Sequence, residues 1–489
     1  MSRWGKWMAI VLLIAFTAYF HFYKLTYLPF RVWDEARLAN SAYEMTKSGN
    51  LIVTTIGNNP DIISTKPPLM IWAQVACIKL FGFSEFAIRI PAAMCATLTV
   101  ILVFLFVLWL THSFWSGLAS AIVLCTAYCY LFDHSTRYGE YDSMLTFFIA
   151  SALTSLFLFT ETNGEKRGKW LLLFFFCLSL AALTKGVAAL LYGPAVFIYL
   201  LLCKQLKAAV FNKYFLAGTL LFIFLVGGFY VVRELKSPGY LQAVFEQELG
   251  GRFNTVIEGH CGPWSYYWDY LKGEGFGNWY WALPVSLCLF WFFPNRRLFR
   301  ATGFFLLMAI GMLTLISFGK TKLEWYVLPA IPLFAIVIGV LIDQISGAAS
   351  SILRWQKEVL AVIFLIIFSI QPTVEAFDNL NNLWYDLSKD NFYAPSYYLR
   401  DATEGKRDLH GYIYLTGCYD LPWRLYVYRL NELGVNMPCV EYWSGPHLKS
   451  GDKIVANFSE AKKYVEDHYQ YRLIEDFYGV RNYVITGTK

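Results

Sequence analysis

The sequence predicts a polytopic, all-α membrane protein with about 11–13 transmembrane helices and a small C-terminal α/β domain. Three observations carry this. The 489 residues are 57% hydrophobic and only 16% charged, well below the roughly 25% of soluble domains. Apolar runs recur from residue 7 to residue 371 at the length of about 20 residues that crosses a bilayer. After residue 371 the chain changes to mixed charged and aromatic residues broken by Gly and Pro.

The candidate spans are roughly 7–23, 86–110, 115–132, 143–160, 170–184, 187–203, 214–232, 278–293, 301–318, 325–342 and 357–371. Arg3 and Lys6 precede the first run, as they would in a signal peptide. No small-x-small cleavage site follows, so this run is read as a retained span. The segment from Pro67 to Phe81 is apolar but brief and is expected along the membrane surface. Short basic loops, "EKRGK" (165–169), "KQLK" (204–207), "NRRLFR" (295–300) and "RWQK" (354–357), fall on one side together with Arg3 and Lys6. The positive-inside rule makes that side cytoplasmic. The long loops 24–85 and 234–277, and the tail, then face the exterior. The net charge of +6 lies in these loops, and no dense Lys/Arg run suggests a nucleic-acid groove. Two domains are expected: a membrane domain over 1–371 and an external α/β domain over 372–489. In the latter, "GYIYLTG" and "YVITG" read as strands and "SEAKKYVEDHY" as a helix with a Ser N-cap. Most of the ten cysteines sit in apolar runs as small buried residues. Cys418 and Cys439 are the candidates for a disulfide if the tail meets an oxidising compartment.

On this topology the unusual polar residues converge on the external face. They are Asp34, Glu35 and Arg37 in "RVWDEARLAN", Lys66 in "STKPPL", Arg137 and Asp142 in "RYGEYDSML", and Lys185 in "LTKG". Arg252, Glu258 and His260 follow in "GRFNTVIEGHCGPW", then Lys320 and Lys322 in "KTKLEWYVLP". Charges at membrane depth are costly and mark function. Lys24, Lys79 and Arg89 are read instead as interfacial residues snorkelling to water. Interfacial cations suit a phosphate whose attached chain lies in the lipid, and a carboxylate suits proton removal from an attacking hydroxyl. A sugar on a lipid phosphate supplies both ends of such a reaction, with a leaving group that is already an anion.

The stretch from Trp33 through "STKPPL", with Arg137 and Asp142, "LTKG", "GRF…H…PWSYY" and "KTKLEWYVLP", resembles the GT-C polyprenyl-phosphate-sugar glycosyltransferases. Within them it is similar to the bacterial 4-amino-4-deoxy-arabinose lipid A transferases and the protein O-mannosyltransferases. The resemblance covers most of residues 1–345. It implies an inverting hexosyl or pentosyl transfer at the inner membrane, with the site facing the periplasm. The donor is a polyprenyl-phosphate sugar, on undecaprenyl phosphate in a bacterium, and the acceptor a lipid, glycan or protein. It implies Asp34 as base and Asp142 as a second carboxylate. Lys66 and Arg252 would hold the donor phosphate, with Lys185, Lys322, Tyr326 and Arg137 nearby. Glu35 has two readings, catalytic or paired with Arg37 or Lys66; Arg31 and Arg37 fix the loop or neutralise the acidic pair. The arabinose enzymes place a Glu before the Lys-Pro element, where it helps the downstream His bind a divalent metal ion. Here that position is Thr65, which leaves His260 without its partner. A transporter or flippase of lipid-linked sugars is the alternative. Transporters show repeated halves and mid-bilayer charges, whereas here repeats are absent and the charges gather at one interface.

Overall fold

The computed structural model describes residues 3–489 except 133, 165, 383–388, 391, 418 and 419; the side chains of Arg3, Trp4, Lys6, Leu249 and Arg252 also lie outside the description. The expected Cys418–Cys439 pairing therefore lies outside the described residues. The helices that concern the site are α1 (Arg3–Phe22), α2 (Asp34–Ser48), α3 (Leu69–Phe81), α4 (Glu85–Thr111), α5 (Phe114–Thr126), α6 (Asp142–Glu161) and α7 (Lys166–Lys185). They are followed by α8 (Gly193–Leu202), α9 (Lys213–Lys236), α10 (Arg296–Ser317), α11 (Ile331–Leu353) and α12 (Lys357–Asn382).

Among the described residues, seven helical segments are long and apolar enough to cross a membrane, and α1, α3, α5 and α8 are shorter apolar helices. The chain is a multi-pass membrane protein. The expected span 278–293 is not one helix. It is a 3₁₀ turn (Gly277–Trp281), a helix (Ala282–Leu289) and a second 3₁₀ turn (Phe290–Phe292), with Pro284 interrupting the backbone hydrogen bonding. The expected span 187–203 is likewise divided, into Gly186–Leu190 and α8. Gly186 at φ +56° ends α7 in the left-handed region that glycine tolerates. At the centre stands α11, buried without interruption from Ile331 to Asp343. Its Gly339 lets α5 approach so closely that a Cβ there would meet the Ser116 carbonyl at 2.8 Å and the Ser120 Cβ at 2.9 Å, the small-residue packing expected between membrane helices.

The last long helix, α12, runs past the expected domain boundary at 371 to Asn382, with Pro372 inside it. The first loop holds a two-stranded ribbon, β1 (Thr55–Ile56) and β2 (Asn59–Pro60), and beyond α12 lies a five-stranded sheet in the order β4-β3-β5-β7-β6, formed by β3 (Tyr412–Thr416), β4 (Cys439–Glu441), β5 (Lys453–Ala456), β6 (Tyr469–Phe477) and β7 (Val480–Thr488). Strand β3 runs parallel to β4 and β5, while β7 is antiparallel to β5 and β6. The β6–β7 hairpin turns on Tyr478 and Gly479, both at positive φ, the geometry that matches strand twist in a two-residue turn. The expected helix forms over Ser459–His468, with Phe458 rather than Ser459 at the cap. The helix Leu421–Glu432 joins this unit to the first loop. The Tyr426 hydroxyl donates to Glu85 at 2.7 Å and accepts from the Phe30 amide at 3.0 Å. Tyr428 stacks on Tyr43 at 4.7 Å.

The first loop is anchored by Glu35, which is fully buried. Its two oxygens accept from the Arg89 guanidinium at 2.7 and 2.8 Å, from the Gly139 amide at 2.8 Å and from the Arg31 amide at 2.7 Å. Arg89 also donates to the carbonyls of Leu25, Leu28 and Pro29. Burial alone would raise the Glu35 carboxyl; Arg89 and the two amides outweigh it and hold the pKa below its ordinary value. This corrects two expectations. Glu35 is neither catalytic nor paired with Arg37 or Lys66, because its acceptor capacity is filled inside the protein. Arg89 does not snorkel, because it is 2% exposed with its donors bonded. Arg37 pairs with Asp61 at 2.8 Å, and Arg31 bonds the hydroxyls of Tyr138 and Tyr393 at 2.7 and 3.1 Å, so both arginines fix the loop. Removing one member of such a pair strands the other charge in the interior. Glu35→Gln is expected to cost about 3 kcal/mol, read as a lowered thermal denaturation temperature in detergent. Unchanged denaturation would remove the pair from the fold's framework.

Candidate active site

Helices α6 and α7 pack against each other and bring the start of one to the end of the other. Asp142 opens α6 and Lys185 closes α7, the placement of charge that complements both helix dipoles. Lys185 Nζ donates to both Asp142 oxygens, at 2.6 and 2.7 Å, and both residues are buried. They line a cavity of about 210 Å³. Lys66 and Glu248 also line it, together with the apolar Leu145, Leu191, Met312, Ile316 and Pro329. Lys66 lies over the Tyr141 ring at 5.2 Å and Lys185 over the Tyr326 ring at 5.5 Å, so each ammonium group faces an aromatic π-face. Glu248 accepts from the Thr65 hydroxyl at 2.8 Å. Such a chamber, lined by both charged and apolar side chains, suits an anion carried on a lipid.

Asp34, the first residue of α2, is half-buried and near enough to act electrostatically on Tyr141 and Lys185. The segment after the Tyr128–Leu131 helix faces it. There His134 lies on the Trp325 ring, centroids 3.6 Å apart, and its Nδ1 is bonded to Glu140. Burial would lower the His134 pKa; Glu140 outweighs it, helped by Asp142 and Asp34, and raises it above the ordinary value. Burial raises the Glu140 carboxyl, only partly offset by His134, with Asp34 and Asp142 adding to the rise. Asp34, Glu140 and Asp142 thus act together on the His134 imidazole.

The structure thus brings Asp34, Lys66, Asp142, Lys185 and Tyr326 together. Other expected phosphate ligands are engaged elsewhere. Arg137 donates to the carbonyls of Phe20 and Tyr23 at 2.8 and 2.7 Å, capping the end of α1. Lys322 donates to the carbonyls of Ser317 and Gly319, each at 2.7 Å, capping the end of α10. Both corrections have one cause: terminal carbonyls lacking helical partners take up the nearest cation. The side chain of Arg252 lies outside the described residues. His260 is 48% exposed and 3.9 Å from a still more exposed Glu258, and Thr65 is engaged with Glu248. A histidine with one loose carboxylate in solvent does not fit a metal centre. The sequence reading passed over Glu248, His134 and Glu140. Glu140 and His134 flank the same "STRYG" turn that supplies Arg137, which was the signal available.

The model for the dolichyl-phosphate-mannose-protein mannosyltransferase family matches residues 65–229. An uncharacterised protein of Aquifex aeolicus is 28% identical over 71% of this chain and 67% of its own length. The undecaprenyl phosphate-α-4-amino-4-deoxy-L-arabinose arabinosyl transferase 1 of Pseudomonas fluorescens is 27% identical over 76% of this chain and 67% of its own. This chain thus spans about two thirds of the length of either relative. The crystal structure of ArnT from Cupriavidus metallidurans bound to undecaprenyl phosphate superposes with a TM-score of 0.70 at 15% identity, over 97% of both chains. The fold is that of the GT-C polyprenyl-phosphate-sugar glycosyltransferases.

Because Asp142 and Lys185 are buried together, breaking the pair costs more than removing it. Lys185→Met is expected to lower stability by about 3 kcal/mol, and adding Asp142→Asn to restore part of that loss. Strictly additive denaturation shifts in the double-mutant cycle would mean that the two groups do not interact.

Proposed function

We propose that this GT-C glycosyltransferase takes its sugar from undecaprenyl phosphate at the periplasmic face of a bacterial inner membrane and transfers it, with inversion, to a lipid, glycan or protein acceptor. The observation that carries the reading is the cavity whose lining combines Lys66, Lys185 and Asp142 with apolar side chains. The two ammonium groups hold the donor phosphate and the apolar side chains receive the start of the prenyl chain. Arg252, on the loop beside the cavity, is the third phosphate ligand. The basic loops between spans put the opposite end of the bundle in the cytoplasm.

The chemistry follows from charge. The acceptor oxygen attacks the anomeric carbon from the face opposite the phosphate. As that C–O bond forms, the bond to the phosphate oxygen breaks and its electron pair leaves with the polyprenyl phosphate. That leaving group gains one negative charge, which Lys66 and Lys185 stabilise, so no protonating acid is required. Asp34 takes the proton of an attacking hydroxyl. Asp142, held in place by Lys185, positions the sugar, and Tyr326 seats Lys185.

Two measurements test this. Purified protein in detergent, given a polyprenyl-phosphate sugar and acceptor extract, forms glycosylated product; a transporter forms none without a sealed membrane. In that assay Asp34→Asn loses about 10²-fold or more in transfer while retaining donor affinity, and wild-type turnover by it would remove Asp34 as base. Lys66→Ala is expected to weaken donor binding by about tenfold, the scale of one charge-assisted phosphate contact. Unchanged affinity would move the phosphate site elsewhere.

A further inference from the structure

Asp34, His134 and Glu140 come from two distant segments of the chain, yet their ligand atoms all lie within 4.8 Å of one another. Glu140 is 4% exposed. Trp325 covers one face of the His134 imidazole and restricts its rotation. Two carboxylates and an imidazole converging from fixed backbone supply the mixed nitrogen and oxygen donors that divalent first-row metals take. Three protein ligands leave coordination positions open, as in sites where the metal meets a substrate.

We propose that Asp34, His134 and Glu140 bind one divalent first-row cation, of the Mn²⁺ to Zn²⁺ class. This site is separate from the exposed His260. Its three ligands are distinct from the residues that line the cavity. A cation there would offer an open position to an acceptor oxygen, whether hydroxyl or phosphate, and would acidify a bound hydroxyl whose proton Asp34 takes. The role toward the acceptor rests on the functional reading above; the binding site does not.

The test uses the full chain in detergent, stripped with chelator and then titrated with Mn²⁺. Bound ion is followed by loss of the free Mn²⁺ electron paramagnetic resonance signal and by ¹⁴N couplings in the pulsed spectrum. The expected result is one ion per chain with imidazole nitrogen coupling, an affinity weakened at least about tenfold in both His134→Gln and Glu140→Gln, and no change in His260→Gln. Each variant is checked by thermal denaturation. Where one fails to fold, the nitrogen coupling of the wild-type protein and the other variant decide. Absence of stoichiometric binding, binding without imidazole coupling, binding unaffected by both substitutions, or binding lost in His260→Gln each overturns the proposal. Transfer is assayed separately. Product formed by chain that binds no ion overturns the cation site and spares the glycosyltransfer reading; an ion bound as expected without any product does the reverse.

Discussion

The first loop depends on the buried pair between Glu35 and Arg89. Its bonds join three segments that are far apart in sequence: Glu35 on α2, Arg89 on α4, and Gly139 in the turn before α6. Because Arg89 also takes the carbonyls of Leu25, Leu28 and Pro29, the chain leaving α1 is pinned at the same point. Consecutive residues on a helix diverge by about 100° around its axis. Locking Glu35 into the interior therefore fixes the direction of Asp34, which falls beside the "STRYG" turn and the cavity. The adjacent carboxylates differ in their surroundings: Glu35 is buried with its oxygens bonded inside the protein, whereas Asp34 is half-buried beside the turn.

Helix ends organise the rest. Charged side chains gather where spans stop, since stopping leaves backbone groups without partners and puts dipole ends at the membrane surface. At those ends the cations have two fates. Arg137 and Lys322 turn back onto the carbonyls of α1 and α10. Lys66 and Lys185 rest on aromatic faces and line the cavity. A lysine that lines the cavity can meet an anion placed there, which a lysine turned back onto two carbonyls outside that lining does not. This difference, rather than closeness to the membrane, separates candidate phosphate ligands from caps.

That distinction also marks the limit of what the sequence reveals. Hydropathy located the long helices, and the convergence of Asp34, Lys66, Asp142 and Lys185 was legible because charges are so rare among the apolar runs. The fates of Arg137 and Lys322 were not, because a capping cation and a phosphate-binding cation are the same residue type at the same kind of position. Arg89 misled for a related reason: near the start of an apolar helix it has the pattern of a snorkelling residue, and its partner lies 54 residues away. The region 278–293 carries the composition of a span, but Pro284 and Gly277 divide it into shorter turns. Thr65 was readable as a departure from the arabinose enzymes, whereas its bond to Glu248 required the fold.

The C-terminal unit completes the constraint on α2. Tyr426 bridges Glu85 at the start of α4 and the Phe30 amide just ahead of α2, and Asn40 in the middle of α2 donates to the Leu421 carbonyl. Glu35 holds the first turn of α2 from within, and these contacts hold its outer face. A group poised to remove a proton contributes in proportion to how well its position is fixed before the substrate arrives. A helix braced on both sides gives Asp34 that fixity, although Asp34 itself is only half-buried. The C-terminal unit thus bears on the site without lining it: it braces the helix whose first residue is Asp34.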